Sequence, residues 1–467
     1  MSSSRLFLLL FLTLACRLAA NPATSPNIIF ILTDDLGYGE LSCYGQRRYE
    51  TPHIDRLAAE GVRFTQAYSG SPICAPSRAT LMTGRHTGHV SVRNNFGMRD
   101  GRTGLRIPLQ PEETTVAQLL HGAGYHTALI GKWGLGEEGS DQEPWNRGFD
   151  FFYGYVNQAH AHNQYPEFLY RNSHKEAIVP NYSHQERVFS NDRFCEEALE
   201  WIGQVSDQRP FFLYLALTTP HADLKCPPDS IEAVKRRHPE LTAPGVAPSS
   251  LVFAAMMHRL DRDVGRLMAR LKELGIDDRT LVIFSSDNGA HQEDHKDNAY
   301  FAASGPLRGV KRDVYEGGIR VPFIARWPGK IAAGRVSTHP LTFWDFLPTA
   351  AELAGLPVPP SAVDGISFVP ELLGRPEQKR HDVLYWEILI KNQGRQALRA
   401  GDWKLLRQGQ DAPWELYDLA HDVGETTNLA ARHPDVVSRL VKAAVAARTE
   451  SPWFPLRLPP GVKSSGN

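Results

Sequence analysis

Apolar residues follow two rhythms along this chain. Residues 27–33 (NIIFILT), 125–130 (YHTALI), 211–217 (FFLYLAL) and 280–285 (TLVIFS) are short, nearly continuous apolar runs. Such runs fit strands covered on both faces. Between them, residues 51–58, 114–122, 192–202 and 249–274 carry apolar positions at helical spacing, and Gly275 closes the last. A further strand is expected over 321–326 and a helix near 344–353. The alternation predicts an α/β fold: a largely parallel sheet sandwiched by helices.

The rhythm changes after the proline-rich stretch 356–364. Residues 383–386, 397–407 and 414–419 read as short antiparallel strands, and 433–448 as a closing helix. The expected organisation is a leader over 1–20, a large α/β domain over 21–372 and a small C-terminal α+β subdomain over 373–467.

Composition narrows the function classes. The 467 residues suggest two or three domains, and 42% hydrophobic content is ordinary for a globular protein. A net charge of -1 provides no global field for nucleic acid or a membrane surface, so any anion site must be local. Arg5, the apolar run 6–14 and Leu18-Ala19-Ala20 form a secretory signal pattern cleaved before Asn21. The expected location is therefore secreted or periplasmic. The run is too short to span a bilayer, and no later segment reads as a membrane span. A lipoprotein signal ending at Cys16 ranks second, because Thr13 suits that pattern poorly. The remaining cysteines, Cys43, Cys74, Cys195 and Cys226, are too scattered to form a disulfide framework.

The chemistry collects where strands end. Asp34 and Asp35 follow the first strand, Lys132 the second, His221 the third, and Asp287 and Asn288 the fourth. In open α/β sheets that carboxyl edge is where ligands bind. Adjacent carboxylates there are not expected to ionise without a cation. The oxygen donors suit Ca²⁺ or Mg²⁺ better than zinc, for which no His/Cys spacing is present. Arg78, Lys132, His221 and Lys311 bring positive charge to the same region, which suits an anionic ester. Cys74-Ala75-Pro76-Ser77-Arg78 reads as a turn into a helix. A cysteine at that helix N-terminus is expected to have a depressed pKa and to be reactive. The loop 155–165 (YVNQAHAHNQY) holds His160, His162 and Asn163 among aromatics, a composition suited to hydrogen-bonding and stacking on a sugar.

The C-x-P-S-R stretch with the following Thr83-Gly84-Arg85 resembles the signature of the type I, formylglycine-dependent sulfatases. TDDLGYGELSCYG, TPHIDRLAAEGVRF, GKWGLG, TTPHAD, SSDNGA, LRGVKRDVYEGGIRVP and ELYDLAHDVGETTNLA also match the family, in its order. The resemblance implies an alkaline-phosphatase-like domain and oxidation of Cys74 to formylglycine by a maturation enzyme that reads Cys74, Pro76 and Arg78. It implies Ca²⁺, ahead of Mg²⁺, held by Asp34, Asp35, the matured Cys74, Asp287 and Asn288. It gives Arg78 to the aldehyde hydrate, Lys132 and Lys311 to the sulfate, and His221 to the leaving-group side. Many relatives have histidine where this chain has Gly134; carbohydrate sulfatases with GKWGLG and an HAHN loop share the change. His160 or His162 is then expected to fill part of that space. The implied activity is hydrolysis of a sulfated carbohydrate, galactose-type sugars among them, with His160, His162 and Asn163 binding the sugar. The alternatives are a formylglycine-dependent phosphoester or phosphonate hydrolase and a non-catalytic sulfated-glycan binder.

Overall fold

Along the first strand, Asn27–Thr33, side chains alternate between two cores. Ile29 and Ile31 enter one apolar cluster; Ile28, Phe30 and Leu32 enter the other. The strand Phe211–Ala216 divides in the same way. Period-two alternation with both faces apolar is what a strand between two helical layers requires. Helices Pro52–Ala59, Ser190–Val205 and Pro248–Glu273 cover one face. Helices Cys74–Thr83, Val116–Gly122 and Phe346–Leu353 cover the other.

The computed structural model describes residues 25–99, 102–358, 362–390 and 393–456. The leader and lipoprotein expectations lie outside the described residues. Among the described residues the main sheet has ten strands. Their order across the sheet is Arg335–Ser337, Val62–Phe64, Phe323–Arg326, Thr280–Ser286, Asn27–Thr33, Phe211–Ala216, His126–Lys132, Phe151–Tyr155, Phe168–Arg171 and His174–Ala177. The five strands from Thr280–Ser286 to Phe151–Tyr155 run parallel, so their carboxyl ends share one edge. Phe323–Arg326 and the two strands after Phe151–Tyr155 are antiparallel, which makes the whole sheet mixed. Residues 151–155 carried no strand expectation, because aromatics and glycines there hide the pattern. Among the described residues no helix is long and apolar enough to cross a membrane.

The C-terminal sheet has four antiparallel strands, Leu384–Ile390, Gln393–Ala400, Trp403–Arg407 and Glu415–Asp418. The single strand expected over 397–407 is two, folded at Gly401, where φ is +60°. Helix Pro434–Ala446 packs on one face through Leu440 and Ala444. The other face presents Trp386, Ile388, Ala397 and Leu406 to Ile73, Cys74, Val314 and Ile319. This small sheet therefore supports the start of the helix that carries Cys74.

Buried charges also tie the small sheet to the rest of the chain. Glu387, 3% exposed, lies 2.6 Å from both Arg93 Nη1 and Arg448 Nε. Lys404 Nζ sits 2.8 Å from Glu316 and 2.9 Å from Glu425. Removing one member of a buried pair leaves the other charge uncompensated, which costs about 3–5 kcal/mol. Glu387→Ala should lower the unfolding free energy by about that amount in urea titrations. A loss below about 1 kcal/mol would equate this cluster with an exposed pair.

Candidate active site

The helix Cys74–Thr83 begins after Ile73, whose backbone is extended, and ends at Gly84 with φ +69°. Cys74 is its first residue and Pro76 its third, still in the turn where a missing N–H is harmless. All ten of its residues are buried. The helix enters the protein at the parallel sheet's carboxyl edge, with Cys74 Sγ 3.9 Å from Asp35 Oδ1.

Four strand ends complete the site. After Thr33 the chain turns through Asp35, whose φ of +68° is left-handed, a conformation that aspartate tolerates better than most residues. Gly131, at φ +113°, precedes Lys132; a Cβ there would lie 1.9 Å from Ala216 O, so only glycine lets the strands close and deliver Lys132. Lys132 Nζ is 2.6 Å from Asp34 Oδ2. Lys311 Nζ is 2.7 Å from Asp35 Oδ2, 3.1 Å from His221 Nε2 and 3.0 Å from Glu293 Oε2. Arg78 donates to Asp287 Oδ2 from Nε at 3.0 Å and Nη2 at 2.8 Å, and to Lys132 O at 3.1 Å. Asp287 Oδ1 accepts the Asp35 N–H at 3.1 Å. Asn288 Nδ2 donates to Asp35 Oδ1 at 2.7 Å.

The charge balance differs from the sequence expectation. Burial would raise the pKa of Asp34, but Lys132, His221 and Arg78 together hold it well below the usual range. Burial is likewise outweighed at Asp35 by Lys311 and His221, so its carboxyl also titrates below its usual range. The protein's own cations thus keep both acids charged. Asp287 goes the other way: burial, reinforced by Asp34, lifts it to about 7 despite Arg78. Cys74 corrects a second expectation, since burial pushes its thiol well up. Lys132 pulls downward, but Asp34, Asp287 and Asp35 add to the rise. A helix terminus contributes about 0.3–1 kcal/mol, less than the several kcal/mol needed to desolvate a thiolate.

The predicted site residues converge unevenly. Donor atoms of Asp34, Asp35, Cys74 and His221 lie within 4.8 Å of one another, a grouping that could hold a metal ion. Asp287 faces Arg78 instead. His162 is exposed and its ring lies 4.5 Å from that of His221. His160 turns away to Tyr155 and Phe168, at ring distances of 4.9 and 4.4 Å. Asn163 is exposed, and its Oδ1 accepts the Tyr165 N–H. Sequence reasoning missed Glu293, which bridges Lys311 and Arg312, and Gln158, whose Oε1 lies 2.7 Å from where a Gly134 Cβ would be. Neither histidine of the loop fills that place. Glu293 stands in the polar run HQEDHK, where no periodicity marks a residue.

This arrangement of fold and site agrees with the comparisons. The sulfatase family model matches residues 26–356. The chain belongs to the sulfatase family. A second model, N-sulphoglucosamine sulphohydrolase, C-terminal, matches residues 310–449. Dog N-acetylgalactosamine-6-sulfatase is 34% identical over 79% of this chain and 70% of its own length. Human arylsulfatase A is 34% identical over 92% of this chain and 89% of its own. The crystal structure of Ps i-CgsB in complex with k-i-k-neocarrahexaose superposes with a TM-score of 0.79 at 28% identity, covering 92% of this chain and 95% of that one. As a sulfatase the chain is a sulfuric ester hydrolase, and its large mixed sheet with a small C-terminal sheet is the alkaline-phosphatase-like architecture.

The raised Asp287 has a measurable consequence. Between its unfolded value of 3.8 and about 7, the folded state holds a proton that the unfolded state has released. Stability from this group is therefore fully present below 3.8 and is lost as pH rises through about 7. Asp287→Asn removes that slope. In chelator, the variant should gain stability relative to wild type between pH 4 and pH 8, by on the order of 4 kcal/mol. Parallel melting curves at both ends of that range would refute the assignment.

Proposed function

We propose that this sulfatase removes sulfate from a sulfated carbohydrate, using a formylglycine made from Cys74 and a divalent metal, Ca²⁺ ahead of Mg²⁺. The observation that carries the reading is the convergence of Arg78, Lys132, His221 and Lys311 on one buried cysteine.

The residues present fit a hard cation. Asp34 Oδ1 and Asn288 Oδ1 are buried without a hydrogen-bond partner among the described residues, so two oxygens remain for an ion. Asp34, Asp35, Asn288 and the matured residue 74 would hold it, with Asp287 joining once ionised. Together the ion and the hydrated aldehyde supply Lewis acidity and a nucleophilic hydroxyl that an unmodified cysteine lacks.

The chain's own groups do the rest. Lys132 and Lys311 are positioned to neutralise the nonbridging sulfate oxygens, where charge grows as the ester bond breaks. Asp35 outweighs burial at Lys311 and raises its pKa, so it stays cationic. Arg78, clamped on Asp287, has a fixed orientation beside residue 74. His221 Nδ1 donates to Ala222 O, which leaves the Nε2 lone pair to accept from Lys311 Nζ at 3.1 Å, so the two groups stand together where the departing alkoxide needs a proton.

A carbohydrate substrate is supported by the surfaces next to the site. His162 stands exposed beside His221. A cavity of about 160 Å³ is bordered by Ala75 and Gly134 and lined by Asn94, Asn95, Arg106 and Glu137, with polar groups for sugar hydroxyls. Relatives named N-acetylgalactosamine-6-sulfatase and a neighbour in complex with k-i-k-neocarrahexaose are the support for galactose-type sugars. Export to the periplasm or medium, resting on residues 1–20, is part of the proposal, as is dependence on a maturation enzyme.

Mass spectrometry of the tryptic peptide 64–78 from active enzyme should find an aldehyde at position 74, and Cys74→Ala should abolish turnover with the fold intact. Intact thiol alone in active enzyme would sink the reading. An aryl phosphate cleaved faster than an aryl sulfate would favour the phosphoester alternative. His162→Ala should cut kcat/KM on the preferred sulfated sugar about tenfold or more, yet leave a small aryl sulfate within about threefold. Equal losses on both would put His162 in the bond-breaking machinery.

A further inference from the structure

Gln158 is 3% exposed, and neither its amide nitrogen nor its amide oxygen has a hydrogen-bond partner among the described residues. Buried amides are nearly always paired, so a side chain with both ends free needs a reason. Backbone pairing sets its position. Trp133 N–H donates to Tyr155 O at 2.9 Å and Gly134 N–H to Val156 O at 3.1 Å, which ties the chain leading to Gln158 alongside the chain leaving Lys132. A Cβ on Gly134 would stand 2.7 Å from Gln158 Oε1 and 3.7 Å from Lys132 Cε. One small region is thus bordered by the free amide and by the stem of the lysine whose Nζ meets Asp34. Gly134, at φ +72°, leaves it open.

We propose that Gln158 is a substrate-binding residue whose amide, unpaired at both ends and free to exchange Oε1 for Nε2 by a half-turn, donates its N–H to a nonbridging oxygen of the sulfate group beside Lys132. The inference rests on the sulfate-ester reading of this site. An amide suits the place because it adds a donor without adding charge where Arg78, Lys132 and Lys311 are already paired with three carboxylates. The two histidines of the loop turn elsewhere, His160 onto Tyr155 and Phe168 and His162 onto His221. The amide waits unpaired until the sulfate arrives, which accounts for a buried polar group that packing alone would replace with a methionine.

The test uses Gln158→Met, which keeps the chain length and removes both polar atoms, and Gln158→Glu, which keeps the acceptor and removes the donors. Full-length matured enzyme is assayed on an aryl sulfate, with inorganic sulfate as competitive inhibitor. Gln158→Met should melt at or above the wild-type temperature, lose at least tenfold in kcat/KM and raise the inhibition constant for sulfate at least fivefold. Gln158→Glu should lose as much or more. The proposal is overturned if Gln158→Met stays within threefold of wild type, if its sulfate inhibition is unchanged, or if its melting temperature drops along with its activity. Failure of the wild-type enzyme to cleave the aryl sulfate would instead count against the sulfate-ester reading, so the two failures are distinguishable.

Discussion

The balance of buried charge at the parallel sheet's carboxyl edge is the constraint on which this structure depends. Asp34, Asp35 and Asp287 face Lys132, Lys311 and Arg78, all almost fully removed from water. Desolvating each ion costs several kcal/mol, so the set is stable only if every partner is in place. Asp34 and Asp35 are matched well and stay ionised, while Asp287 is pressed from behind by both of them. That imbalance leaves capacity for further positive charge at Asp287, whose Oδ2 accepts both bonds from Arg78.

Much of the remaining fold serves to keep those six side chains from relaxing. Five parallel strands bring their ends to one edge, and two helical layers clamp the strands from both faces. The C-terminal sheet closes the remaining side. Its Trp386 packs in the cluster that contains Cys74 and donates from Nε1 to Ser69 O at 2.9 Å. Lys404, with Glu316 and Glu425, ties the same sheet to the Glu316–Ile319 turn that follows Lys311. The small sheet is therefore part of the site's support, although none of its strands supplies a residue to the charge cluster.

The reactive position illustrates how context overrides a local rule. A cysteine at a helix N-terminus is ordinarily acidified, and residue 74 does begin a ten-residue helix. Here the surrounding carboxylates and the lack of water dominate, and the thiol is held protonated. An inert thiol is compatible with a residue whose function comes from its modified form.

The order of strands and helices, the residues at strand ends and the Cys74–Arg78 signature were legible in the sequence, because apolar periodicity and short motifs are local properties. So was the grouping of Asp34, Asp35, Asp287 and Asn288, since parallel strands must end on the same side. Three things were decided only by tertiary structure. The ionisation of Asp34 and Asp35 depends on Lys132 and Lys311, which lie 98 and 276 residues away. The divergence of His160 and His162, two positions apart, depends on a turn that sends one ring to Phe168 and the other to His221. The roles of Glu293 and Gln158 depend on what stands opposite them, Lys311 for one and Gly134 for the other. Sequence determines what each residue can do; burial and distance, set by the whole fold, decide which of those things it does.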